Sequence, residues 1–185
     1  MSSSFSPEHA VKDLERVLED VDVAQVAAFE EALLEARHVF VTGLGRTGLM
    51  ARGFAMRLMH LGRKVFHVGD VITPAIRDGD LLVICTRTGR SQVLRHYINI
   101  ARRGGARVAV VTADAGSPVA RDADVVLCLD DRPALGREEG PAVRHPLGSL
   151  FEQALLVVLD QIVISLMGRL ELTETDLERV HTTFE

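Results

Sequence analysis

Three hydroxyl side chains, a glycine and an arginine lie together directly after an apolar run. The segment TRTGRS contains Thr86, Thr88, Gly89, Arg90 and Ser91. Hydroxyls and backbone N–H groups donate hydrogen bonds to an anion, glycine lets the backbone approach it closely, and arginine supplies positive charge. This combination predicts a loop that binds the phosphate group of a ligand. The alternative, in which the hydroxyls only cap a helix and the glycine only turns the chain, stays open at this point.

A second glycine-rich segment, TGLGRTG, occupies residues 42–48 and also follows an apolar run. Its central residues Gly45, Arg46 and Thr47 provide backbone N–H groups, a guanidinium and a hydroxyl. Glycine-rich turns that lead into a helix bind phosphates at the helix N-terminus. These three residues are therefore predicted to bind the same ligand as the later loop, provided that the two segments face one crevice.

The same segment matches a different pattern. Gly43, Gly45 and Gly48 fit the G-x-G-x-x-G fingerprint of dinucleotide-binding proteins, and Asp70 follows the next apolar run, where an acid meets the ribose. One short match is weak evidence. The chain has little room for a separate substrate domain, and Arg46 places a charge in the turn. NAD binding is therefore a minor alternative.

The charge distribution favours a small anionic ligand over nucleic acid. A net charge of −5 argues against a general nucleic-acid binder. Nevertheless, residues 36–69 contain six Arg or Lys residues without an acid, and residues 81–113 contain six arginines without an acid. Solvated faces of two helices would explain part of this pattern. The complete exclusion of acids predicts two positive zones that receive an anion.

The elements that position these loops alternate between strand and helix. Residues 7–36 carry apolar residues at helical spacing, with a break predicted near residues 20–22. Helical segments at 47–61 and 91–103 then separate short apolar runs, which cover residues 38–43, 64–69, 80–86, 106–113 and 124–130. This alternation predicts one α/β domain with a five-stranded parallel sheet in the flavodoxin-like order 2-1-3-4-5. In that order the two glycine-rich loops are neighbours.

The last third of the chain predicts a loop and two helices. Residues 130–146 read as a surface loop, and GSLFEQALLVVLDQIVISLMG predicts a long helix with Ser149 as its N-cap. A shorter helix starts near Thr173. We divide the chain into an N-terminal helical segment, residues 1–36, that packs on a domain of residues 37–185.

Composition indicates a globular cytoplasmic protein. The chain is 47% hydrophobic, and its first twenty residues lack the basic start and apolar core of a signal peptide. The longest apolar stretch, Ala154–Met167, is interrupted by Asp160 and Gln161, so no membrane span is expected. Cys85 and Cys128 lie in apolar runs and are expected to be reduced, buried thiols.

Four segments resemble the 6-phospho-3-hexuloisomerases, which are sugar-isomerase (SIS) domain enzymes: GLGRTGLMARGFAMRLMHLG, VGDVITPAIRDGDLLVI, HPLGSLFEQALLVVLD and RVHTTFE. The runs AMRLMHLG and GSLFEQ are the most specific parts. The resemblance implies an isomerase of assimilatory formaldehyde metabolism that interconverts 3-hexulose 6-phosphate and fructose 6-phosphate. It also implies a homo-oligomer, usually a tetramer, that works without a metal or a cofactor.

Two parts of the chain depart from the family pattern. The family's strand-3 loop reads Ser-x-Ser-Gly-Glu-Thr, so all three hydroxyl positions survive here, while Arg90 replaces a glutamate. This reversal of charge bears on the choice of sugar. The family's C-terminal Arg-His-Ala-Asn-Leu-Glu is matched at His181 and Glu185, and the arginine is displaced to Arg179.

The resemblance implies three catalytic side chains. Glu152, near the start of the long helix, is the expected base for the carbon-bound proton, and an exposed first-turn glutamate is the alternative. His60 and His181 are expected to move the proton between sugar oxygens. His60 could equally be structural, and the resemblance suggests that His181 enters the site of a neighbouring subunit.

Two other functions stay open. One is an SIS-domain isomerase of a different sugar or amino-sugar phosphate, with Arg90 altering the specificity. The other is a non-catalytic sugar-phosphate sensor, which would tolerate Glu152→Gln. Such sensors usually carry a DNA-binding domain, and residues 1–36 have no evident helix-turn-helix pattern.

Overall fold

The computed structural model describes residues 7–135 and 145–184. It begins with two helices, α1 (Pro7–Glu19) and α2 (Val23–Glu35). They are separated at Asp22, whose side chain accepts a hydrogen bond from the backbone N–H of Ala24 at 2.8 Å and so caps α2. The break predicted near residues 20–22 is confirmed.

The five predicted strands form one parallel sheet. They are β1 (Val39–Gly43), β2 (Val65–His67), β3 (Leu81–Thr86), β4 (Arg107–Thr112) and β5 (Val125–Cys128). Their spatial order is β2-β1-β3-β4-β5, and each neighbouring pair is parallel. All of β3 is buried, as expected for a central strand covered on both faces. The predicted fold class and strand order are confirmed.

Helices cover both faces of the sheet. The further helices of the described residues are α3 (Gly45–His60), α4 (Gln92–Arg103), α5 (Pro118–Arg121), α6 (Arg132–Leu135), α7 (Ser149–Arg169) and α8 (Glu174–Glu178). On one face, α1, α2, α3 and α7 enclose a core that includes Phe29, Phe54 and Phe151. On the other, α4 and α5 cover a smaller core around Leu94 and Val119.

Helix α7 is long and apolar, yet much of it lies inside the fold. By length and composition alone, the stretch Pro146–Arg169 could cross a membrane, because an 18-residue window within it has a mean hydropathy of 1.8. However, 56% of that apolar window is buried inside the protein, as in a core helix. The exposed Asp160 and Gln161 break its outer face. Helix α7 is therefore a core element of the fold.

The start of α7 differs from the sequence-based expectation. Ser149 is the first helical residue, while Gly148 occupies the N-cap position with φ +88° and no side chain caps the helix. A short 3-10 turn, Pro146–Gly148, leads into it. The prediction of Ser149 as N-cap was wrong because the chain enters the helix through a left-handed residue, a conformation that favours glycine.

The segments around α7 agree in part with the sequence. The predicted loop at 130–146 starts with α6, and residues 136–144 lie outside the described residues. Thr173 caps α8 in a capping box with Asp176, so the predicted short helix is confirmed. Glu185 lies outside the described residues. The division of the chain at residue 36 stays a prediction.

Both cysteines are free, as expected. Cys85 is fully buried in β3, and burial raises the pKa of its thiol to about 12. Cys128, in the edge strand β5, is only partly buried. A thiol that stays protonated is a poor nucleophile, so Cys85 is a packing residue.

Candidate active site

The carboxyl edge of the sheet brings the two glycine-rich loops together. Strands β1 and β3 are hydrogen-bonded neighbours, and Gly43 at the end of β1 is in register with Cys85. Helix α3 begins two residues after β1, and α4 begins six residues after β3. Both helices therefore direct their positive N-terminal ends to the same edge, where anions are stabilised.

The loop after β1 supplies an uncapped helix start. Helix α3 begins at Gly45, which has φ +57°, and its N-cap residue Leu44 makes no side-chain hydrogen bond to the helix. The first N–H groups of a helix have no intrahelical partners. The backbone of Gly45, Arg46 and Thr47 is thus suited to receive an anion.

Glu152 lies against this helix start. It is the fourth residue of α7 and is only 8% exposed. Its Oε2 lies 2.9 Å from Nη1 of Arg46, and its Oε1 accepts a hydrogen bond from the Thr47 hydroxyl at 3.4 Å. Glu152 is therefore a buried carboxylate at the carboxyl edge, and the alternative of an exposed first-turn glutamate does not hold.

The loop after β3 uses two of its hydroxyls locally. The Thr86 hydroxyl accepts a hydrogen bond from the backbone N–H of Gly89 at 3.3 Å, and Ser91 caps α4 by accepting from Leu94 at 3.4 Å. The capping interpretation thus holds for Ser91, whereas the exposed Thr88 does not cap. A hydroxyl that accepts one hydrogen bond can still donate its own proton. Ligand binding by this loop therefore remains compatible with its internal bonds.

A cavity of about 320 Å³ opens beside this loop. Its lining combines loop residues with residues that follow β4 and β5, namely Arg87, Thr88, Arg90, Asp114, Asp131 and Arg132. Arg90 is 76% exposed and its Nη2 lies 3.9 Å from Asp114, so its guanidinium is held only loosely. The cavity has the volume to accept a small phosphorylated ligand.

The two candidate histidines lie together at the opposite end of α3. The rings of His60 and His181 stack with centroids 5.1 Å apart, and α8 packs on α3. His60 is the last residue of α3, and about 21 Å of helix separates it from Arg46. Within one chain, the structure therefore brings Arg46, Thr47 and Glu152 together but separates them from both histidines.

Comparison with known proteins assigns the family. The family model for the SIS domain matches residues 32–161. The chain belongs to the SIS-domain family. A 3-hexulose-6-phosphate isomerase from Mycobacterium gastri is 38% identical, over 89% of this chain and 82% of that protein. A protein of the same name from Bacillus subtilis is 33% identical, over 83% of each chain.

A solved structure agrees with these relatives. A crystal structure from Methanococcus jannaschii, described as inferring a 3-hexulose-6-phosphate isomerase function, matches with a TM-score of 0.83 at 26% identity. The match covers 97% of this chain and 98% of the other. The resemblance to the 6-phospho-3-hexuloisomerases is confirmed.

The SIS fold explains the G-x-G-x-x-G match by packing. A Cβ atom at Gly48 would lie 2.5 Å from the carbonyl oxygen of Gly43, so these glycines allow α3 to lie close to the end of β1. Asp70 is engaged by Arg52 at 3.0 Å and lies 3.5 Å from His67. Burial, followed by the charge of Arg52, lowers the pKa of His67.

The acid-free windows do not make two open positive zones. Acids from distant parts of the chain pair with five of the six arginines in residues 81–113, namely Arg87–Asp131, Arg90–Asp114, Arg95–Asp122, Arg102–Asp124 and Arg107–Glu35. In residues 36–69, Arg37, Arg46 and Arg52 are paired in the same way. The prediction of two open positive zones was wrong because residues far apart in the sequence are paired in the folded chain.

Sequence reasoning missed two polar pairs that contain buried carboxylates. Arg87 binds Asp131, whose side chain is fully buried. His145 Nε2 lies 3.1 Å from Asp13 Oδ2, and both side chains are almost fully buried. Each pair joins residues more than forty positions apart. The sequence offered no local signal for either.

Proposed function

We propose that this protein is a sugar-phosphate isomerase that interconverts 3-hexulose 6-phosphate and fructose 6-phosphate. The named relatives support this substrate, since they are similar over more than four-fifths of the chain. One observation carries the reaction type. Glu152 is a buried carboxylate placed between a guanidinium and a hydroxyl, at the edge where two helices begin.

In this proposal the β3 loop holds the phosphate. The Thr86, Thr88 and Ser91 hydroxyls, the backbone N–H groups around Gly89 and the start of α4 are the donors. Arg90 adds positive charge from the exposed side of the loop. The loop after β1, with Gly45, Arg46 and Thr47, completes the crevice and contacts the sugar.

Glu152 is the proposed base. It removes the proton on C2 of the 3-ketose, which gives an enediolate with a C2–C3 double bond, and it returns a proton to C3. The hydroxyl proton on O2 passes to O3, so C2 becomes the ketone. When Glu152 is protonated its ion pair with Arg46 weakens, and Arg46 is then able to stabilise the negative oxygens of the enediolate.

His60 and His181 are the proposed groups for the oxygen-to-oxygen proton transfer. Because about 21 Å of α3 lies between His60 and Arg46, they do not reach the sugar held by their own chain. We propose that this stacked pair serves Glu152 of a neighbouring subunit. The active form is then a homo-oligomer, and the family pattern favours a homotetramer.

The resemblance supports three further proposals. The enzyme acts in the cytoplasm, it belongs to formaldehyde assimilation, and it needs no metal and no cofactor. The reaction moves two protons and no electrons leave the substrate, so no redox cofactor is required by its chemistry.

Deuterium exchange into fructose 6-phosphate tests the reaction. In D2O, proton NMR should show loss of the C3 proton with purified protein, together with signals of a 3-ketose. Exchange at C1 alone would identify an isomerase of a different sugar phosphate. Thermal stabilisation by fructose 6-phosphate without exchange would favour the sensor, and stabilisation by NAD instead would favour the dinucleotide alternative.

Subunit mixing tests the shared site. Glu152→Gln and His60→Ala chains, each inactive alone, are refolded together. Recovered activity in the mixture is expected, because some interfaces then combine an intact Glu152 with an intact His60. A mixture that stays as inactive as its components would show that the two residues do not meet across an interface.

A further inference from the structure

Arg87 differs from its neighbours in the β3 loop because its side chain is held by Asp131, and both residues belong to the lining of the cavity beside the loop. Its Nε lies 2.6 Å from Oδ2 and its Nη2 lies 3.1 Å from Oδ1 of Asp131, a two-pronged contact. The Asp131 side chain is fully buried and that of Arg87 is 32% exposed. The pair therefore connects the loop firmly to the segment after β5.

The backbone of Arg87 is fixed as well. Its carbonyl oxygen accepts hydrogen bonds from the backbone N–H of Ala113 at 3.1 Å and from the Thr112 hydroxyl at 3.2 Å. Both donors lie at the carboxyl end of β4. Side chain and backbone together hold Arg87 in one position relative to the sheet.

The stem of Arg87 lies against the entrance of α7. A Cβ atom at Gly148 would overlap Cδ of Arg87 and lie 3.0 Å from its Nε. Gly148 is the N-cap residue of α7, has φ +88°, and precedes Glu152 by four residues. Its lack of a side chain gives Arg87 the room to pass directly over the first turn of the helix that carries Glu152.

We propose that Arg87 is a positioning residue that sets the distance between the phosphate loop and Glu152. It joins three separate segments: the loop that holds the phosphate, the buried Asp131, and the first turn of α7. Since Thr86 and Thr88 flank Arg87, a phosphate bound by the loop and the base on α7 share one rigid connection. This inference rests on the proposed isomerase function and gives Arg87, which lines the cavity beside the loop, a positioning role.

Variants of this connection should lower kcat more than they raise KM. A displacement of about 1 Å at a reacting group costs about 100-fold in rate. For Asp131→Asn and Gly148→Ala we expect kcat to fall at least tenfold, with the KM for fructose 6-phosphate changed less than threefold. Arg87→Lys keeps the charge but loses the two-pronged contact, so it should recover part of the kcat that Arg87→Ala loses.

Two matched controls separate positioning from stability. Asp80→Asn breaks a pair of the same kind, in which the fully buried Asp80 side chain accepts from Arg37 at 3.1 Å, at the opposite edge of the sheet. Gly168→Ala alters the far end of α7, where a Cβ meets nothing within 4 Å. Both should leave kcat within twofold of the unaltered protein, whatever their melting temperatures.

Hydrogen exchange provides a readout that does not depend on activity. By mass spectrometry, Asp131→Asn should speed amide exchange in residues 149–155 and leave residues 39–43 unchanged, whereas Asp80→Asn should not affect residues 149–155. If the unaltered protein exchanges no deuterium into any sugar phosphate, the proposed function fails while this readout still tests the connection. An active protein in which Asp131→Asn keeps its kcat, or in which residues 149–155 stay protected, would overturn the role of Arg87.

Discussion

At the carboxyl edge of the sheet α3 and α4 begin, whereas at the amino edge the same two helices end. The N-terminal ends offer free N–H groups and the C-terminal ends offer free carbonyls. The side chains follow this polarity. Arg63, just after α3, donates to the carbonyls of Leu33, Leu34 and Ala36 at the end of α2. The amino edge thus binds cations of its own chain, and the carboxyl edge is left to receive an anion.

The cavities at the two edges differ in the charge of the residues that line them. The carboxyl-edge cavity of about 320 Å³ is lined by charged side chains of which most are basic, namely Arg87, Arg90, Arg132, Asp114 and Asp131. The amino-edge cavity of about 160 Å³ is lined by mostly acidic ones, namely Glu35, Asp78, Asp80 and Arg107. Glycine-rich turns occur at both edges, so glycine alone does not mark the site. The direction of the helices and the charge of the lining residues together distinguish the carboxyl edge.

Each edge of the sheet also holds a buried carboxylate. Asp80, at the amino edge, accepts from Arg37 and from the backbone N–H of Arg77, and lies 3.0 Å from His38. Glu152, at the carboxyl edge, has one guanidinium and one long hydroxyl contact. Asp80 is enclosed by structural partners, whereas Glu152 lies against the start of α3, beside the loop after β1. We therefore propose that Asp80 stabilises the fold and that Glu152 performs the chemistry.

The largest expected effect is on activity at Glu152. Glu152→Gln keeps the shape of the side chain but removes the proton acceptor, so kcat should fall by about 100- to 10,000-fold. The melting temperature should change little. Steady-state kinetics and a thermal scan on the same sample check both expectations. A variant with more than a tenth of the normal kcat would show that another group is the base.

Asp80→Asn should have the converse effect. Loss of a buried charged hydrogen-bond acceptor lowers the free energy of unfolding by about 1–3 kcal/mol, while kcat stays within about twofold. Urea unfolding and the same kinetic assay measure the two quantities. A loss of kcat at constant stability would contradict the assignment of the amino edge to structure.

The effect of Asp80 should depend on pH. Burial acts to raise the pKa of its carboxyl, but the hydrogen bonds from Arg37 and Arg77 outweigh burial and hold the pKa below its usual value. The stabilisation is therefore complete above the ordinary pKa of aspartate, about 4, and is lost as pH falls through the lower folded value. Unfolding at about pH 7 and about pH 3 should show the difference between wild type and Asp80→Asn shrinking in acid.

A smaller effect is expected at Thr88. Thr88→Val removes one hydroxyl donor to the phosphate, worth about 1–1.5 kcal/mol, so KM should rise about 5- to 12-fold with kcat little changed. Thr175→Val, on the exposed surface of α8, is the matched control. An unchanged KM for Thr88→Val would place the phosphate elsewhere in the crevice.

The smallest effect on stability is expected at Arg90. Since its guanidinium is 76% exposed and 3.9 Å from Asp114, Arg90→Ala should change the free energy of unfolding by less than about 0.5 kcal/mol. Its KM should still rise, because one positive charge leaves the phosphate loop. Arg90→Glu restores the residue usual in the family. A shift in preference among sugar phosphates in that variant would show that Arg90 selects the substrate.

The fold was predictable because its signals are local. Short apolar runs separated by amphipathic segments define strands and helices residue by residue, and the order 2-1-3-4-5 follows from the rules for parallel connections. The meeting of the loops after β1 and β3 followed from that order. Glu152 could be named from the GSLFEQ segment, although its burial against Arg46 could not.

The features that the sequence did not predict depend on contacts between residues far apart in the chain. The pairing of Arg87 with Asp131 joins residues 44 positions apart, and the stack of His60 on His181 joins the end of α3 to the C-terminal tail. The chain enters α7 through the left-handed backbone conformation of Gly148. The sequence favoured Ser149 as the N-cap instead, because serine is a good capping residue. None of these contacts produces a periodic pattern, so only the folded chain reveals them.

Deuterium exchange at C3 of fructose 6-phosphate in D2O, compared among wild type, Glu152→Gln and Asp80→Asn, is the most direct test of the central claim. The assay reports the carbon–hydrogen bond on which the proposed base acts. We predict rapid exchange in wild type, near-normal exchange in Asp80→Asn, and loss of exchange in a folded Glu152→Gln. Exchange that survives in Glu152→Gln, or that is lost in a folded Asp80→Asn, would contradict the assignment of chemistry to the carboxyl edge.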